Sequence, residues 1–154
     1  MIDSPVELSY RVQRLFKDAP CDLALIGSRR MACAGPKSDW DFAAPGSWDT
    51  RQWVQSLGFR EVEDYNGPIR PPHSMLDVNT ESVWEIRLRG WAWQSGSWLV
   101  PGIKVNLMLV KDLHLCAMAY DFVGRDPTLI ATRHSTPLWN RVYNFLLLGN
   151  PLEI

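Results

Sequence analysis

An apolar run, Leu23-Ala24-Leu25-Ile26, stops at Gly27-Ser28, and a strand-like segment, Asp39-Trp40-Asp41-Phe42, opens about ten residues later. No other stretch restricts the fold as much. A short apolar run closed by glycine reads as a buried strand ending in a turn. In the second segment side chains alternate between faces, so Asp39 and Asp41 point one way and Trp40 and Phe42 point the other, into packing. Two neighbouring carboxylates repel each other, and a cation held between them offsets that cost. The Gly27-Ser28 turn can offer backbone N–H groups and a hydroxyl to phosphate oxygens. Arg29, Arg30 and Lys37 place positive charge beside it. Gly-Ser turns and Asp-x-Asp pairs are each common in purely structural roles; their order along the chain carries the functional reading.

The rest of the composition narrows the class. With 154 residues the chain can bury its own core, and residues 1–154 are expected to form one domain. A net charge of −1 argues against coating nucleic acid through bulk charge, though not against a local basic patch. Apolar runs such as Leu107-Met108-Leu109-Val110 are too short to span a bilayer, which predicts no membrane partner. Met1-Ile2-Asp3-Ser4-Pro5 lacks the basic and apolar regions of a signal peptide. Cys21, Cys33 and Cys116 are scattered without a Cys-x-x-Cys, so neither disulfides nor a zinc knot are expected, and a reducing, cytoplasmic setting fits. His73, His114 and His134 are equally scattered and are assigned no metal.

The pattern predicts an α+β chain. Ser4-Pro5-Val6-Glu7 reads as a capping box that opens a helix to about Lys17. Strands follow at 21–26, 39–43 and 59–65, with an irregular or helical turn over 28–37 and a Ser47-capped helix ending at Gly58. Met75–Val78 and Val83–Arg89 read as two strands joined through Asn79-Thr80, and Ile103–Val110 as the last strand. Helices near Leu113–Phe122 and Pro137–Leu148, with a loop between them, complete the reading.

Gly27-Ser28 and Ser38-Asp39-Trp40-Asp41-Phe42 resemble the signature of the nucleotidyltransferase superfamily, which includes DNA polymerase β, CCA-adding enzymes and the minimal nucleotidyltransferases. The likeness in specific sequence covers residues 27–42. It implies a mixed β-sheet with helices packed on one side, and transfer of a nucleoside monophosphate from a nucleoside triphosphate to an acceptor hydroxyl. It also implies Mg²⁺ or Mn²⁺ held by Asp39 and Asp41, and a triphosphate held by Gly27, Ser28, Arg29, Arg30 and Lys37. The acceptor would be an RNA (a tRNA end, for example), a protein or a small molecule. The family carries a third carboxylate on a later strand, and the best-placed residue here is Asn106. Asparagine can coordinate through its carbonyl but is neutral, and Lys104 on the same face disfavours a second cation. Glu85, with Arg87 and Arg89 on its face, and Asp77 are possible substitutes, although a solvated ion-pairing face explains both. An alternative reading is therefore a catalytically impaired descendant that binds a nucleotide or a protein as a regulator.

Tryptophan is the compositional oddity, with 8 in the chain. Trp84, Trp91, Trp93 and Trp98 surround a Gly- and Ser-containing connection. They read as packing over the sheet, as a protein-partner surface, or as a stacking platform for bases.

Overall fold

The strands of the structure, a computed structural model that describes residues 5–35, 38–62, 77–90, 100–149 and 152, form one mixed sheet. In chain order the elements are α1 (Pro5–Leu15), β1 (Ala24–Ile26), α2 (Gly27–Arg30), β2 (Trp40–Pro45), α3 (Trp48–Ser56), β3 (Arg60–Glu61), β4 (Thr80–Gly90), β5 (Val100–Val110), α4 (Leu113–Gly124), α5 (Pro127–Ala131) and α6 (Thr136–Leu148). The sheet order is β1-β2-β5-β4-β3. Among the described residues only β2 and β5 run parallel; the other pairs are antiparallel. No described helix is long and apolar enough to cross a membrane.

Helices cover both faces of this sheet, not one as the resemblance implied. On one face Ile26, Ala43, Met108 and Val110 pack with Leu115, Cys116 and Val123 of α4 and Leu138, Trp139 and Val142 of α6. On the other, Ala44, Val105, Leu107 and Leu109 pack with Val12 of α1 and Val54 of α3. The reason lies in β5. Its residues 105–110 are buried in unbroken succession, and a strand apolar on both sides requires cover on both sides.

Local signals set most boundaries. Ser47 accepts a hydrogen bond from the Thr50 N–H at the start of α3, and Asp112 does the same for Leu115 at the start of α4. Gly149, at φ +69°, closes α6 and donates its N–H to the Phe145 carbonyl. The Asp126-Pro127 pair starts α5 within the stretch expected to be a loop, an N-cap and N1 signal that is present in the sequence.

Of the two strands expected around Asn79-Thr80, the described residues form one. Asp77 to Asn79 form a turn in which the Asp77 carboxylate accepts from the Asn79 N–H at 2.9 Å and the Thr80 hydroxyl at 3.0 Å. This is the local competition by which Asp displaces extended chain; β4 then runs unbroken in direction from Thr80. The Asn79 side chain closes the turn against α4, donating to the Asp112 carbonyl and accepting from the Asp112 N–H.

Trp84 is 5% exposed and packs in the core facing α1 and α3, its indole N–H donating to the Ser82 hydroxyl at 3.0 Å. It is therefore core and not part of a partner surface. Trp91, Trp93 and Trp98 lie outside the described residues, as do Ser4 of the capping box, the 63–65 end of the third expected strand, and Met75-Leu76.

Candidate functional site

One transverse row of the sheet carries Asp41, Asn106, Glu85 and Arg60 side by side. Register places Ile26 of β1 opposite Asp41 of β2, Asp41 opposite Asn106 of β5, Asn106 opposite Glu85 of β4, and Glu85 opposite Arg60 of β3. Two residues further along β2 and β5 are Ala43 and Met108, already in the core beneath α4 and α6. Asp41 and Asn106 thus share the face of that core.

Asn106, 5% exposed, donates its side-chain N–H to Asp41 Oδ1 at 2.7 Å and to Asp39 Oδ2 at 3.4 Å. The Lys104 ammonium lies 3.6 Å from Asp39 Oδ2 and 3.8 Å from Glu85 Oε2. Burial raises the Asp41 carboxyl to about 6; Asp39 adds to the rise, while the Asn106 hydrogen bond, Lys104 and Arg29 oppose it. At Asp41, removal from water outweighs the nearby donors.

The turn of α2 faces the same carboxylate. Gly27 is buried with φ +72°, and a Cβ there would collide with Asp41 Oδ2. Only glycine permits both this backbone conformation and this approach. Hydrogen bonds from Met31 N–H to the Gly27 carbonyl and from Cys33 N–H to the Ser28 carbonyl hold the turn closed. Ser28 therefore follows directly on the backbone that touches Asp41.

The basic residues of the loop divide. Arg29 donates to the Ser38 carbonyl at 2.7 Å and lies 4.1 Å from the Trp40 ring centre, joining the start of the loop to its end. Its Nε is buried without a partner in the structure, and burial holds its pKa below the ordinary value, against the pull of Asp41 and Asp39. Arg30 instead forms a two-pronged pair with Asp121 of α4, at 2.7 and 2.9 Å, and donates to the Leu25 carbonyl at 2.9 Å. It braces the turn against α4 and is not brought to the carboxylate pair. Because these side chains are 28% and 43% exposed, Asp121→Asn is expected to cost about 1 kcal/mol or less, read by denaturant unfolding. Lys37 lies outside the described residues.

Neither substitute for the third carboxylate joins Asp39 and Asp41. Glu85 lies beyond Asn106 and is paired with Arg60 at 2.8 Å as well as with Lys104. Asp77 adjoins Thr80, which is opposite Val110, four residues along β5 from Asn106 and so roughly 13 Å away. Among the described residues no group of three or more His, Cys, Asp or Glu side chains is arranged to hold a metal ion. Sequence reasoning missed Asp121 and Arg60, whose partners are 91 and 25 residues distant and leave no local signal. Comparison of the chain with protein-family models, with curated proteins and with solved structures yields no match to any of them.

Proposed function

We propose that the chain binds a nucleoside triphosphate together with Mg²⁺ or Mn²⁺ and transfers the nucleoside monophosphate to an acceptor hydroxyl. The observation that carries this reading is the contact of the Gly27 backbone with the Asp41 carboxylate, with Asp39 on the same face. A phosphate-sized anion seated on the Gly27-Ser28 turn would lie beside the carboxylate pair.

The donor set fits one divalent cation. Asp39 and Asp41 supply hard oxygen ligands, and the raised Asp41 carboxyl marks a carboxylate that a cation would stabilise. When bound, the ion would neutralise phosphate charge that develops during transfer. The chain's own residues do the remainder: Gly27 and Ser28 seat the triphosphate, Arg29 lends charge at the loop base, and Arg30 through Asp121 keeps the turn in place. The class of acceptor, whether RNA, protein or small molecule, stays part of the proposal.

A second reading, a regulator that binds nucleotide without transferring it, is favoured by one observation. The residue directly opposite Asp41 is an amide donor, Asn106, and not a carboxylate. Labelled nucleoside triphosphates incubated with Mg²⁺ or Mn²⁺ and pools of RNA and protein acceptors separate the two readings. Label transfer that falls at least a hundredfold in Asp39→Ala supports the transferase. Binding that needs Asp39 but yields no labelled acceptor supports the regulator. Equal metal and nucleotide binding by the parent, Asp39→Ala and Asp41→Ala would overturn both.

A further inference from the structure

We infer that the turn at 77–80 is a proton-controlled latch, which when closed ties the start of β4 to α4 and α6, and which opens when Asp77 loses its proton. Nothing in the latch depends on the nucleotide reading. It has three ties. The Asp77 carboxylate accepts from the Asn79 N–H and the Thr80 hydroxyl, and so shapes the turn. The Asn79 side chain then grips the backbone of Asp112 at the start of α4, donating to its carbonyl at 2.9 Å and accepting from its N–H at 3.0 Å. The Val78 N–H reaches α6 and donates to the Asn140 side-chain oxygen at 2.9 Å. The second and third ties both hang on the turn that Asp77 holds.

A neutral acceptor would shape this turn equally well. What the carboxyl adds is a second oxygen, Oδ2, buried without a hydrogen-bond partner in the structure. The groups around it bring no counter-charge. Cys116 and Tyr120 of α4 and Tyr143 of α6 are buried, and burial keeps all three neutral. Lys111, whose backbone N–H donates to the Asn79 carbonyl, is exposed, and Asp112 is a carboxylate. An ionised Asp77 is therefore costly in place and is relieved when the turn opens to water. Burial accordingly raises its carboxyl to about 6. Between the unfolded value near ~3.9 and about 6, each opening releases one proton to water. The proton's contribution to closure is complete below that window and is lost as pH rises through about 6.

The test is hydrogen exchange of the Val78, Asn79 and Asp112 amides between about pH 4 and pH 7.5, corrected for intrinsic exchange, with the Leu107 and Leu109 amides of β5 reporting global unfolding. In the parent the opening constant of the three amides is expected to rise by roughly tenfold or more across this range, levelling off above about pH 6. It is also expected to exceed that of the β5 amides at every pH, which marks the opening as local. Asp77→Asn is expected to abolish the rise and to keep the three amides protected at pH 7.5. Asn140→Ala, which removes one tie and leaves Asp77 intact, is expected to speed exchange at Val78 while preserving the rise. Three observations would each overturn the latch: opening constants equal to those of Leu107 and Leu109 throughout, constants that do not change with pH in the parent, or a rise that survives in Asp77→Asn. The first two need only the parent protein, so they hold whether or not a variant folds.

Discussion

Gly27→Ala is expected to destabilise the protein by about 2.5–5 kcal/mol and to reduce nucleotide and Mn²⁺ binding by tenfold or more. Two costs add. An L-residue held at φ +72° costs about 1–2 kcal/mol. The added methyl must also displace the Asp41 carboxylate, whose bond to Asn106 is charge-assisted and contributes about 1.5–3 kcal/mol. The carboxylate is partly buried between β1 and β5, so it has little room to yield without losing that partner. Gly149→Ala isolates the first cost. Gly149 has a similar φ of +69°, but a Cβ there meets nothing within 4 Å. Chemical denaturation of both variants should therefore show Gly149→Ala losing about 1–2 kcal/mol and Gly27→Ala clearly more. Equal losses would mean that the close approach to Asp41 carries no energy. For a chain of this size the Gly27→Ala melting temperature should fall by roughly 5–20 °C.

Asp77→Asn is expected to stabilise the protein at pH 7.5 and to leave it nearly unchanged at pH 4. Asp77 is 6% exposed; one carboxylate oxygen accepts from Asn79 and Thr80, and the other is buried without a hydrogen-bond partner in the structure. Burial raises this carboxyl to about 6, against the two hydrogen-bonded neighbours that pull it down. The titratable groups that interact with it include Cys116, raised by burial to about 12, and Tyr120 and Tyr143, both raised by burial, and none of these supplies a positive charge.

Between the unfolded value near ~3.9 and the folded value of about 6, the folded protein holds the proton more tightly than the unfolded chain. The stability that this preference contributes is complete below the unfolded value. It is lost as pH rises through about 6, where the buried group must ionise. Asparagine keeps the accepting oxygen and cannot ionise. The gain over the parent should therefore grow from near zero at pH 4 to about 1–3 kcal/mol at pH 7.5. Unfolding free energies at four pH values between these limits measure it directly. A difference independent of pH would show that Asp77 does not titrate in this range. The residue is remote from Asp39 and Asp41, so binding at the candidate site should not change.

Several features of the site were legible because they depend on near neighbours. Strand alternation placed Asp39 and Asp41 on one face, and glycine marked the turn at position 27. Ser47 started α3 and Gly149 ended α6 for equally local reasons. Arg30 shows where local reading stops. Its charge beside Gly27-Ser28 suggested a phosphate contact, but α4 returns Asp121 to it from 91 residues away. Trp84 is similar: its position in a tryptophan-rich segment suggested a surface, and cover by α1 and α3 buried it.

The sequence by itself determined the strand–turn–strand unit and the shared face of its two aspartates, since backbone geometry fixes both within a few residues. Only the tertiary structure decided what faces that pair. Parallel pairing of β2 with β5 sets Asn106 against Asp41 across 65 residues of chain, and brings Lys104 to Asp39. That register follows from the apolar rows on both faces of β5 finding cover together, a condition that no local segment contains.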